Sequence, residues 1–208
     1  MPRIRLSLTL CALTLAASAF APALRAQGLP ASVALRSAEI QAGQEKKLVF
    51  LLFNASWSQS GRALDAFMAD KQIHAILDKY FVPVTIHVDE EAQKTGRPQL
   101  NNPGGDGLLA RMGSVSQDKT KAVPFFAIVD ADGNMIVNSN DPMNDKPGGP
   151  NVGYPSNSEQ TAYVASMFTK AVPAMTADES DALKKWLDKH DPNFLPGAGG
   201  GGGGRRGR

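Results

Sequence analysis

Six apolar residues run without a break from Leu48 to Phe53. A strand with one wet face alternates apolar and polar residues, whereas an unbroken run has both faces covered. Leu48–Phe53 is therefore read as the central strand of a sheet with helices on both sides. Residues 31–45, rich in Ala, Leu, Glu and Gln, form a helix before it, stopped near Gly43. After it, Leu64, Phe67 and Met68 share one helical face within residues 59–69. Asp70 stands where it can cap a second helix, in which Ile73, Ile76, Leu77 and Tyr80 recur at helical spacing. From Phe81 to Val88 the pattern alternates, with Val82, Val84, Ile86 and Val88 on one side. Pro83 has no amide proton for a ladder, so this second strand belongs at a sheet edge.

Residues 90–122 are polar and rich in Gly and Pro, with a short helix around Leu108 to Met112. Phe125–Val129 is a third strand, Asp130–Asn134 a turn, and Met135–Val137 the returning strand. A long Asn/Pro/Gly loop, 138–157, leads to a helix over 158–172. The last helix, 177–189, opens with Thr176 and Glu179 spaced as a capping box and buries Leu183, Trp186 and Leu187. Apolar residues make up 42% of the 208 and charged residues 20%, the balance of an ordinary globular chain. The fold class is α/β, with one domain over residues 31–190.

The two ends read differently. Residues 1–26 have a secretory leader's three parts: Arg3 and Arg5, an apolar run from Leu6 to Phe20, and small residues at Ala21, Ala23 and Ala26. Cleavage is expected after Ala26, with the Ala23 bond as the alternative, which makes the protein periplasmic or secreted. The apolar run is too short to span a bilayer comfortably, and no later stretch approaches that length, so no transmembrane segment is expected. Residues 191–208 form a Gly-rich tail ending Arg-Arg-Gly-Arg, a composition that buries no apolar surface and is expected to be disordered. Losing the three leader arginines takes the net charge from +2 to −1, and setting aside Arg205, Arg206 and Arg208 leaves the body at −4. Such a body lacks the basic face that nucleic-acid binding requires.

Two segments carry the functional signal. Phe53-Asn54-Ala55-Ser56-Trp57-Ser58-Gln59-Ser60-Gly61-Arg62 follows the central strand, and Ala122-Val123-Pro124-Phe125-Phe126 opens the third. With the Asp-x-x-Gly hairpin turn and the order of elements, residues 33–190 resemble the thioredoxin-like family, in particular its secreted bacterial members with an extra N-terminal helix. The resemblance implies a four-stranded mixed sheet in the order second, first, third, fourth. It implies a cis proline at Pro124, and a groove in which Trp57, Ser58, Gly61, Val123 and Pro124 meet a protein or an extended peptide. Family members carry Trp-Cys-x-x-Cys where this chain has Trp57 to Gly61, so Ser58 and Gly61 stand in the two cysteine positions.

That departure decides the chemistry. Dithiol exchange needs a thiolate and a second sulfur. The chain has one cysteine, Cys11, inside the leader. Disulfide reduction, oxidation and isomerisation by the mature chain are therefore excluded, as are a cysteine zinc site and a cysteine nucleophile. Ser58 is read first as a helix N-cap, because a nucleophilic serine needs a base and none of His74, His87 and His190 is well placed. Trp57 is the best single contact residue, with partial burial against the helix as the alternative. The Asp130–Asn134 turn lacks a calcium loop's length and closing Glu. His87, Asp89 and Glu90 lack paired metal-ligand spacing. Gly153-Tyr154-Pro155 could line the Trp57 groove, and Asn54-Ala55-Ser56 is a glycosylation triplet of use only in a eukaryotic secretory route. No catalytic residue, metal or cofactor is assigned. The leading expectation is an exported, thiol-free binding module of the cell envelope. The alternatives are a sulfur-free enzyme using Ser58 and a purely structural envelope protein. Replacing Ser58 and Gly61 by cysteine is expected to restore disulfide reductase activity.

Overall fold

The computed structural model describes residues 28–90, 100–113, 123–141 and 149–190. The leader and the tail, 191–208, lie outside the described residues. The elements are α1 (Ala31–Glu45), β1 (Leu48–Asn54), α2 (Gln59–Ala69), α3 (Lys71–Tyr80), β2 (Phe81–His87), α4 (Gly105–Arg111), β3 (Phe125–Val129), β4 (Met135–Asn138), α5 (Ser158–Ala171) and α6 (Ala177–Lys189). The sheet order is β2-β1-β3-β4. β1 and β2 are parallel, while β3 runs antiparallel to β1 and β4 to β3. This is the thioredoxin-like order, with Pro83 on an edge strand as its missing amide requires.

Alternation along β1 divides the core in two. Val49, Leu51 and Phe53 face α1 and α4, where Ala31, Ala34, Ala38 and Ala42 bring the helix close to the sheet. Phe50 and Leu52 face the layer of α2, α3, α5 and α6. There Phe50 packs against Phe126 and Phe168, both with ring centroids 5.7 Å away, and against Phe81 at 6.3 Å. Among the described residues, no helix is long and apolar enough to cross a membrane.

α1 has the expected bounds, and α4 starts earlier than expected. α1 includes Gly43 in its last turn and ends two residues later at Glu45, with Lys46 as the C-cap at φ 56°. One helical glycine costs about 1 kcal/mol against alanine, less than the neighbouring fully buried Ala42 and its carbonyl's hydrogen bond to Lys47 contribute together. α4 begins at Gly105, three residues before the expected start, because Gly105 lies directly on β2. A Cβ there would come within 2.8 Å of Val88. The expected caps form: Asp70 Oδ1 accepts from Gln72 N–H and Ile73 N–H, and Thr176 and Glu179 complete a capping box.

Two predictions follow from this packing. Phe168 is buried against Phe50, Phe67 and Phe81, so Phe168→Ala should lower unfolding free energy by about 3–5 kcal/mol in chemical denaturation. At the junction of α3 and α6, Glu179 accepts from Thr176 N–H (2.9 Å), Lys79 Nζ (2.9 Å) and Tyr80 Oη (2.8 Å). These donors, the Thr176 amide foremost, hold its pKa down to about 2 from the usual 4.5. A lowered folded pKa gives stability that is complete above 4.5 and lost as pH falls towards about 2. Glu179→Gln should therefore lower Tm at neutral pH, and the gap to wild type should close across that acid interval in thermal melts.

Candidate functional site

The sheet brings three chain segments to one end. Asn54 pairs with His87 at the ends of the parallel strands, and Phe53 pairs with Phe125 at the start of β3. The Asn54–Ser58 loop, the His87–Glu90 segment and Val123-Pro124 therefore meet at the carboxyl end of β1. The Val123–Pro124 bond is cis.

Ser58 begins α2. Its Oγ accepts from Gly61 N–H at 3.0 Å, and the residue is 5% exposed. The hydroxyl oxygen thus satisfies one of the free amides of the first turn, a cap worth about 1 kcal/mol. Gly61 is buried for a different reason: a Cβ there would lie 1.8 Å from Asn54 Oδ1. The Asn54 side chain fills the volume that a side chain at position 61 would need. Asn54 Nδ2 donates to Gly61 O (3.2 Å) and to both oxygens of Asp65 (3.1 and 3.2 Å), while Oδ1 accepts from Ala55 N–H (2.8 Å). Burial raises the pKa of the Asp65 carboxyl above its usual value, and His87, Asn54 and Arg62 oppose that rise. Asn54 itself is buried, so its glycosylation triplet is closed to a transferase in the folded chain.

Trp57 points outward and is 37% exposed. Its Nε1–H donates to Asp89 O at 2.7 Å, and Asp89 takes φ 55° at that turn. The preceding residue is held harder. Ser56 N–H and Ser56 Oγ both donate to the carboxylate of Glu90, the hydroxyl at 2.7 Å, and Glu90 is fully buried. Arg62 Nη1 reaches back to Ser56 O at 3.1 Å. Of the three residues weighed as metal ligands, Glu90 holds the loop, His87 stands 3.4 Å from Glu90, and Asp89 holds Trp57 through its carbonyl. Among the described residues, no three His, Cys, Asp or Glu are grouped to hold a metal ion.

On the other side, Val123 is half-buried and Pro124 is buried. Asn151 Nδ2 donates to Pro124 O at 2.9 Å, and Asn151 Oδ1 accepts from Ser139 Oγ at 2.6 Å. Gly153, at φ 59°, lies on Pro124, where a Cβ would come 3.2 Å from its carbonyl. Tyr154 does not line a groove: it is buried in the core and its hydroxyl donates to His190 O. Of the five residues expected to form a contact surface, Trp57 is exposed and Val123 partly so, while Ser58, Gly61 and Pro124 lie beneath. Asn151 was not singled out from the sequence, and Asn54 and Glu90 were weighed there only as a glycosylation acceptor and a metal ligand, not as the groups that hold this loop. Asn54 carried one usable signal, a polar residue closing an apolar run seven positions before a helical glycine.

No protein-family model matches the chain, and no curated protein matches it. Among solved structures, it is similar to a disulphide isomerase from Xylella fastidiosa Temecula1, with 17% identity over 86% of this chain and 98% of that one and a TM-score of 0.39. It is also similar to the DsbH oxidoreductase, with 19% identity over 66% of this chain and 81% of that one and a TM-score of 0.40. The chain's own strand order, strand directions and helix layers give it a thioredoxin-like fold.

Proposed function

We propose that this is an exported, thiol-free protein that holds an extended polypeptide segment of a partner protein against Trp57 and Val123. One observation carries the reading. Among the described residues, Trp57 is the one aromatic among the exposed large apolar side chains, and its indole is fixed by a hydrogen bond to Asp89. A fixed exposed tryptophan offers large contact area with little rotamer entropy left to lose on binding. Ser58 supports recognition rather than catalysis, since its oxygen is occupied by Gly61 N–H and the side chain is buried. Cleavage of the leader would place the body outside the cytoplasm without its single cysteine.

The shape of the site at position 61 bears on thiol chemistry as well. For cysteines at 58 and 61 to restore reductase activity, the Asn54 side chain must move, because its Oδ1 lies 1.8 Å from a Cβ at 61. Gly61→Ala should destabilise by about 1–3 kcal/mol through overpacking. Asn54→Ala in the same chain should recover part of that loss, giving a favourable coupling energy in a double-mutant cycle measured by denaturation.

Binding is tested with a reduced, carboxymethylated protein, which presents extended backbone and no thiols. Trp57→Ala should weaken its binding by about thirtyfold, corresponding to about 2 kcal/mol, in fluorescence anisotropy. Wild type that ignores such chains, or a Trp57→Ala variant that binds them equally well, would refute the reading.

A further inference from the structure

The β4 edge of the sheet carries an exposed thioether. β4 begins at Met135, whose side chain is 46% exposed. Of the other described methionines, Met167 and Met175 are buried in the core, and Met68 and Met112 are half-buried. β4 also carries a bulge. Val129 pairs with Met135 and Ile128 with Val137, so β4 has one residue more than β3 across this interval. In a regular strand, residues three apart point to opposite faces. The extra residue brings Met135 and Asn138 to one face, which is how a bulge re-aims a side chain. The two side chains meet there: Asn138 Nδ2 donates to Met135 Sδ at 3.3 Å.

The amide is held in one orientation. Its Oδ1 accepts from Asn140 N–H at 3.0 Å, which turns Nδ2 towards the sulfur and towards Met112 O, 3.4 Å away. The backbone is fixed as well, since Tyr163 Oη donates to Asn138 O at 2.8 Å. A thioether sulfur has two lone pairs and is a weak acceptor. Asn138 covers one of them, and the exposure of Met135 leaves the other towards solvent. The two are not equivalent, because oxygen on one gives one sulfoxide epimer and oxygen on the other gives the second. A thioether reacts in its neutral form, so this chemistry needs neither a thiolate nor a second sulfur.

We propose that Met135 is an oxidation site for hydrogen peroxide, and that Asn138 is the positioning residue that decides which sulfoxide epimer forms. The open lone pair of the sulfur attacks one peroxide oxygen and forms the S–O bond. The O–O bond breaks, the departing hydroxide takes the proton of the transferred oxygen, and water leaves. Sulfur is oxidised by two electrons and the peroxide is reduced by two, so no further reactant enters. The product puts a polar, chiral group in place of an apolar one at the first residue of an edge strand. Neither Trp57 nor the groups that hold it take part.

The test follows each methionine separately. The full-length protein is treated with hydrogen peroxide and digested, and every methionine-containing peptide is quantified by mass spectrometry. Met135 should be oxidised at least about tenfold faster than Met167 or Met175. The Met135 sulfoxide peptide is then divided between two methionine sulfoxide reductases, each specific for one epimer. Protein oxidised in its native state should give the epimers in a ratio of about 4:1 or more, and protein oxidised in urea about 1:1. Asn138→Asp keeps the shape and the Oδ1 acceptor but removes the donor, and its ratio should fall towards that of the unfolded chain. Asn138→Ala should do the same while Met167 stays slow, which separates loss of the amide from loss of the fold. Oxidation of Met135 no faster than that of Met167 would overturn the proposal. So would near-equal epimers from native wild type, or a ratio that both Asn138 variants leave unchanged.

Discussion

The space above Gly61 has room for a single group, and the Asn54 amide takes it. A Cβ on residue 61 would lie 1.8 Å from Asn54 Oδ1, so the polar end of the central strand and the first turn of α2 constrain each other. A buried amide is tolerated only when its donors and acceptor are matched. Asn54 meets that condition with Ala55 N–H, Gly61 O and the Asp65 carboxylate. The loop between the two residues inherits its shape from this match. It leaves β1 with its backbone bonded, turns at Ser56 over Glu90, presents Trp57, and enters α2 under the Ser58 cap.

The fold was legible because its signals are local or periodic. The unbroken run Leu48–Phe53, the alternation of Val82, Val84, Ile86 and Val88, and the caps at Asp70 and Thr176 each state a backbone geometry by themselves. The strand order came from a resemblance rather than from these patterns, and the sheet carries it. The first helix was legible to its end: it closes at Glu45, with Gly43 in its last turn beside the fully enclosed Ala42.

The candidate site was half legible. Trp57, Ser58 and Pro124 stand out by residue type and position. The partners that fix them are distant in sequence and ordinary in type. Glu90 lies 34 residues from Ser56, and Asn151 lies 27 from Pro124. Polar residues in loop-like sequence are normally read as solvated, and no periodicity reports that Glu90 is fully buried. Tyr154 failed in the opposite direction: a Gly-Tyr-Pro segment reads as an exposed turn, yet its tyrosine enters the core and ties the end of α6 to the loop over Pro124.

The way polar groups are satisfied at this end of the sheet bears on the proposed reading. Catalysis needs a reactive group held near its substrate with its proton or lone pair available. Here the polar atoms that the sequence placed near the reacting position are already committed. Ser58 Oγ accepts an amide, Ser56 Oγ donates to Glu90, Pro124 O is held by Asn151, and Asn54 is matched on both ends. Among the described residues, the large side chain facing outward on this loop is Trp57, whose N–H donates to Asp89 O. On the proposed reading, such a surface would stabilise a partner by contact area and by the order already built into the loop.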